Sequence, residues 1–184
     1  MNGALAVAVF LAALNPARTR LGMPETADRR LRFDLAGPGI LIGIAFLVLV
    51  ASVAERGLDA LEISPETFRI AAGFVLVIVA AWMLSQPVPT AEPVASGRLG
   101  ALWPVAYPRV VSPESLTLAV TTGASDGLGR VIPGLAIAAA VLLALGAVPT
   151  GAIARRLLAG IGRLLAVVLV VAGVWLALQG IREV

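Results

Sequence analysis

Cysteine and histidine are both absent from this chain of 184 residues, and all 14 of its basic residues are arginine. Without cysteine there is no disulfide, no thiol chemistry and no thiolate metal site. Without histidine the commonest metal ligand is missing, and so is the side chain that ordinarily titrates near neutrality. Any proton coupling must therefore use a carboxylate. The sequence has no phosphate-binding glycine loop, no cluster of metal ligands and no Ser-His-Asp set. Neither enzymatic chemistry nor a cofactor or metal is expected, and ATP-driven work would need a partner chain. Charge is scarce as well: 14% of residues are charged and 59% hydrophobic, with a mean hydropathy of +0.98. An ordinary soluble domain is about 45–50% apolar, so this is an all-α polytopic membrane protein whose first partner is the lipid bilayer. At about 20 residues per span, the chain has room for six transmembrane helices and short loops. The net charge of +3 does not indicate nucleic acid, because the arginines fall between apolar runs, where they set orientation.

The first apolar run, Ala4–Leu14, has no positive residue before it and is followed by Arg18 and Arg20. That order suits a retained helix with its N-terminus outside rather than a cleaved leader. The run ends at Asn15-Pro16 after about 18 Å of helix, short of a hydrocarbon core of about 30 Å. Either the span is thin or it breaks there and resumes through Ala17–Met23. Arg18, Arg20, Arg29, Arg30 and Arg32 then mark a cytoplasmic loop. Span 2 is expected from about Leu35 to Ala54, followed by an acidic outer loop, Glu55–Thr67. Ser64-Pro65-Glu66 starts span 3: serine caps, proline takes the first helical position, and the acid meets the helix dipole. Residues 86–99 read as a cytoplasmic linker between a first three-helix unit, 1–85, and a second, 100–184. Spans 4, 5 and 6 are expected over about Gly100–Ala124, Gly129–Val148 and Leu157–Ile181, with Arg155 and Arg156 in the inner loop before the last. Both termini then lie outside.

The stretch Pro104–Ser115 stands out within span 4. Three prolines, Arg109 and Glu114 share twelve residues at what should be membrane depth. Proline removes a backbone donor and clashes with the preceding turn. Broken backbone in lipid is tolerated only where protein or a water-filled cavity covers it. The segment is therefore read as a discontinuous helix lining a site. It also has a counterpart. Asn15-Pro16 falls on Ser112-Pro113, Pro38-Gly39 on Pro133-Gly134, and Trp82 with Gln86 on Trp175 with Gln179, in the same order. Each half holds an odd number of spans, so the halves must be oppositely oriented. That is the inverted-repeat plan of many secondary transporters, with helices 1 and 4 broken and the site between them.

Glu114 is the sharpest candidate. A carboxylate at that depth can hold a proton or a cation; the plain alternative is a first-turn acid, as at Glu66. Starting a span at Ser112 leaves about 13 residues to Ala124, too few to cross, which favours depth and function. Arg109 is open between binding an anionic solute group and anchoring at the interface beside Trp103 and Tyr107. In a continuous helix it would sit about 140° around from Glu114, so a direct pair needs the break. Asn15 and Ser112 can present polar groups across the repeat axis, with Pro16 and Pro113 enforcing the breaks. Arg18, Arg20, Arg29, Arg30, Arg155 and Arg156 are read as topology determinants, and Arg69 and Arg163 as snorkelling anchors. Gly43, Gly73 and Gly173 are expected to permit close helix packing. Thr117, Thr121 and Thr122 either line a path or satisfy freed carbonyls.

Several of these segments resemble the MarC family of bacterial inner-membrane proteins, related to the LysE-type exporter superfamily. The resemblance is carried by Leu14-Asn15-Pro16, by Phe68-Arg69-Ile70-Ala71-Ala72-Gly73, by the proline-rich span 4 and by Gly180-Ile181-Arg182-Glu183. It covers nearly the whole chain in order, through short motifs. Two departures stand out: Ser112-Pro113-Glu114 replaces the family's Gly-Pro-Gly, and arginines follow Asn15-Pro16 in place of small apolar residues. The resemblance implies six helices in a bacterial inner (plasma) membrane, and says more about fold than substrate. The expected function is a secondary transporter that exports a small polar solute by alternating access, driven by a proton or cation, possible as a homodimer or in a larger membrane complex. The competing expectation is a non-transporting structural or accessory subunit of such a complex.

Overall fold

The computed structural model describes residues 2–22, 29–87, 89, 101–146 and 151–184, with side chains at all of these except 29–36 and 101–104. Among the described residues all regular structure is helical. The elements are α1 (Gly3–Leu14), α2 (Pro16–Gly22), α3 (Arg29–Ala60), α4 (Pro65–Ser85), a π-helical segment (Ala101–Val110), α5 (Pro113–Asp126), α6 (Leu128–Gly146) and α7 (Ala152–Glu183). Among the described residues five stretches are long and apolar enough to cross a membrane: Gly3–Gly22, Gly37–Ala60, Pro65–Ser85, Leu128–Gly146 and Ala152–Glu183.

The elements form for legible reasons. Asn2 opens α1 by accepting from the Leu5 N–H through its side chain, at 2.8 Å. Ser64 does the same for Thr67 at the start of α4, with Pro65 in the first turn. Gly127, at φ 72°, ends α5 in a conformation that disfavours a side chain. Two boundaries differ from the sequence expectation. Glu55, Arg56 and Asp59 lie on the last turns of α3, because that helix runs on to Ala60, so the outer loop shrinks to a tight turn before Ser64. Arg155 and Arg156 lie in the first turns of α7, exposed, instead of in a loop. In both places polar residues continue a helix beyond the apolar stretch, which hydropathy alone does not register.

Burial separates the helices into two kinds. In Gly3–Gly22, 67% of the apolar window is buried, against 33% in each of the other four long helices. The broken pair α1–α2 is thus the centre of the bundle, and the other long helices are its wall. Val9, Phe10, Ala13 and Leu14 of α1 pack in one core with Ile40, Leu135 and residues of α4, α5 and α7. The outward faces are apolar too: Leu41, Phe46, Phe74, Ile78, Leu164 and Val171 are exposed, as lipid-facing positions should be. The first break meets the membrane rule for irregular backbone, since Asn15 and Pro16 are covered by protein.

Glycine sets the closest approaches. The antiparallel helices α4 and α7 cross at Gly73 and Gly173. A Cβ on Gly73 would lie 2.5 Å from the Gly173 carbonyl oxygen, and one on Gly173 would lie 2.8 Å from the Gly73 carbonyl. Close backbone packing of this kind replaces the hydrophobic drive that lipid removes.

Candidate functional site

The two breaks share a local chemistry. At the first, Asn15 adopts a left-handed conformation, φ 37°, and its N–H caps α1 by donating to the Leu11 carbonyl at 3.0 Å. Its side-chain oxygen then caps α2, accepting from the Arg18 N–H at 3.2 Å, with Pro16 at the first helical position. Thr19 donates its hydroxyl to the Leu14 carbonyl, 3.0 Å, and so satisfies an acceptor that the break sets free. At the second, Ser112 accepts from the Ser115 N–H at 3.4 Å, with Pro113 following. Ser115 closes a reciprocal capping box by accepting from the Ser112 N–H at 2.9 Å. Its hydroxyl lies 2.7 Å from the freed Val110 carbonyl. In each case a hydroxyl covers a carbonyl five residues back. Ahead of the second break the Val111 N–H donates to the Ala106 carbonyl, also five residues back. This wide coil carries Pro104 and Pro108 where an ordinary α-turn would clash.

The charged residues gather around these breaks. Glu114, in the first turn of α5, is only 5% exposed. The Ser112 side chain and its own backbone N–H face its carboxylate as hydrogen-bonding groups, and Arg18 faces it as a positive charge. Arg18 also donates to the Met83 carbonyl at the end of α4 and feels the charge of Arg163. Asn15, 2% exposed, donates its amide to the Gly162 carbonyl of α7 at 2.9 Å. Arg20 is likewise 2% exposed, and its Nε donates to the Leu145 carbonyl near the end of α6 at 3.1 Å.

These placements revise the sequence reading in particulars. Arg18 and Arg20 lie on α2, the helix that resumes after Asn15-Pro16, with Arg20 buried and Arg18 half-buried. Arg109 does not turn toward Glu114. Its Nη1 donates to the Thr19 carbonyl at 3.3 Å and fills the space over Gly22, where a Cβ would be 1.7 Å away. It thus serves the carbonyl end of α2, where a cation is favoured. Arg69 is buried and ion-paired with Glu183. Arg163 and Tyr107 are exposed. The side chains of Arg29, Arg30 and Trp103 lie outside the described residues. Asn15, Pro16, Ser112 and Glu114 are thus all buried, with half-buried Arg18 beside them, while Pro113 is exposed. The capping hydroxyls of Thr19 and Ser115 were the functional groups not anticipated. For Ser115 the signal was available: a serine three residues after an N-cap serine can close a capping box.

A second polar region lies at the opposite end of the bundle, where α4 begins and α5 and α7 end. Arg69, Thr121, Thr122, Ser125, Asp126, Gln179 and Glu183 line a pocket of about 200 Å³ there, with Leu118, Trp175 and Leu176. Sequence reasoning singled out its threonines, Arg69, Trp175, Gln179 and Glu183 for separate reasons, and did not bring them together in one cavity.

A model of the MarC family, described as integral membrane proteins, matches residues 6–184. No curated protein and no solved structure matches the chain.

Proposed function

Since this chain belongs to the MarC family of integral membrane proteins, we propose that it works as a small secondary transporter, exporting a small polar solute across a bacterial inner membrane. The observation that carries this reading is the meeting of two capped helix breaks, the first in the most buried long stretch, with Glu114 of the second 5% exposed and within electrostatic reach of Arg18 of the first. Ionisable groups at membrane depth are costly, so the buried Glu114 carboxylate kept there argues for use. Broken helices facing a shared site are the usual construction of secondary transporters.

The shared chemistry of the breaks supports the inverted repeat. So does the packing around them. Gly134 of α6 lies against Phe10 ahead of the first break, and Gly43 of α3 lies against Val110 ahead of the second. On this reading the π-helical segment and α5 together form a sixth, discontinuous span, and both termini are outside. Residues 1–85 and 100–184 are the two rocking units, pivoting where Gly73 meets Gly173. The hydrogen bonds Asn15–Gly162, Arg20–Leu145 and Arg109–Thr19 join the units near the breaks and are the contacts that must open. A proton or cation on Glu114 would compete with Arg18 and couple the solute to an ion gradient.

The test compares small molecules inside and outside cells that lack the protein, express it, or express Glu114→Gln at equal membrane levels. A solute that leaves only with the wild-type chain supports export and names its class. Coincident profiles under several growth conditions would count against transport. Co-purification with larger membrane proteins would then favour an accessory subunit.

A further inference from the structure

The polar pocket between the start of α4 and the ends of α5 and α7 holds about 200 Å³, far more than one water needs. Its rim and its depth differ. Ser125, Trp175 and Glu183 are exposed, whereas Thr121, Thr122 and Leu176 are buried. Thr121 donates its hydroxyl to the Thr117 carbonyl at 2.7 Å, and Ser125 donates to the Thr121 carbonyl at 2.8 Å. Both keep oxygen lone pairs for a further partner. The Thr122 hydroxyl has no protein partner among the described residues. Water, which donates and accepts, suits all three, and buried polar cavities of this size hold it. The pocket is thus a wet vestibule.

Its floor lies close to Glu114. Of the α5 residues that line the pocket, Leu118 is nearest the start of the helix, where Glu114 sits. At helical rise and twist, Leu118 stands about 6 Å along the axis from Glu114 and about 40° around, with Thr121 about 20° to the other side. Glu114, Leu118 and Thr121 therefore share one face of α5. A helical side chain leans toward the N-terminus of its helix, so Leu118 leans over the turn that carries Glu114. Leu118 is 1% exposed, and Glu114 does not line the pocket. On this face of α5 a single apolar side chain stands between the vestibule and the buried carboxylate.

We propose that the vestibule supplies protons to Glu114, with Leu118 as the apolar gate that breaks the water column between them. The inference rests on reading Glu114 as the coupling carboxylate of a transporter. Apolar constrictions gate by dewetting. With Leu118 in place the water ends at Thr121 and Thr122. When Leu118 moves aside, water bridges the turn. A hydronium then gives its proton to the Glu114 carboxylate, leaving water and the neutral acid. That proton removes the charge that attracts Arg18.

The test uses single cysteines in the naturally cysteine-free chain, in proteoliposomes. A charged methanethiosulfonate is added on the side from which the rim control, Ser125→Cys, reacts. Thr121→Cys is expected to react readily, and Glu114→Cys about tenfold or more slowly. Adding Leu118→Ala should raise the Glu114→Cys rate about tenfold, whereas Leu118→Met, which keeps the volume, should leave it slow. A second measurement leaves Glu114 native: labelling by a water-soluble carbodiimide and an amine, read by peptide mass, should rise in Leu118→Ala and not in Leu118→Met. An inert Thr121→Cys beside a reactive Ser125→Cys would overturn the proposal, since the vestibule would be dry. So would equal rates at positions 121 and 114 in the parent chain, or labelling of Glu114 that Leu118→Ala does not change. Gated access without any exported solute would fault the transport reading alone; Glu114-dependent export indifferent to Leu118 would fault the gate alone.

Discussion

At Asn15 and at Ser112 the chain stops one helix, turns through a capping side chain and a proline, and starts another. The two breaks differ in where their polar groups go. Those of the first reach outward: Asn15 to α7, Arg18 to the end of α4, Arg20 to the end of α6. At the second, Ser112, Ser115 and the Val110 carbonyl satisfy one another within a single turn, and Arg109 ahead of them reaches the Thr19 carbonyl of α2. The first break therefore ties separate helices together, whereas the second caps itself largely within its own turn, with Glu114 buried in the first turn of α5.

Several substitutions would break or sharpen that contrast. The largest effect on activity is expected from Glu114→Gln and Arg18→Gln, each lowering solute export about tenfold or more, with the double variant little worse than either. Independent, multiplying losses would show that the two residues do not act as a unit. For stability, Asn15→Leu should cost about 2–3 kcal/mol, since it removes a cap and a buried bond to another helix. Ser112→Ala should cost about 1 kcal/mol, since a single cap is lost. Thermal unfolding in detergent would read both; equal shifts would erase the distinction between the breaks. Gly73→Ala should destabilise by about 1–3 kcal/mol by forcing a Cβ against the Gly173 carbonyl. Gly57→Ala is its control and the smallest effect. Nothing lies within 4 Å of a Cβ at that exposed helical position, so it should stabilise by about 0.5–1 kcal/mol.

Much of the skeleton was legible in the sequence, for reasons that can be named. Asn15-Pro16 and Ser112-Pro113 announced themselves because proline forbids the continuing hydrogen bond and the residue before it can cap. Ser64-Pro65-Glu66 gave the start of α4 in the same way. The apolar runs located the long helices, and the polar extensions of α3 and α7 were lost because hydropathy sees lipid contact and not helix continuity. The π-coil was not legible: three prolines say that an α-turn fails, and they do not say which wider turn replaces it. The destination of each arginine was hidden for another reason. Arg20, Arg69 and Arg109 meet partners 125, 114 and 90 residues away. A long flexible side chain carries no local sign of which distant carbonyl or carboxylate it will find. The family match extends over 6–184 and agrees with a resemblance first seen in four short motifs.

The most direct measurement exploits the absence of natural cysteine. A single Ser112→Cys would place a thiol at the second break, and a charged, membrane-impermeant thiol reagent would be applied from each side in turn. Exposed Gly151→Cys would serve as the reactive control. The account predicts that the thiol at position 112 is modified from both sides, at rates altered by Glu114→Gln, because a path opens alternately to each. A thiol that stays inert from both sides, while the control reacts, would contradict the claim that the breaks line a solute pathway.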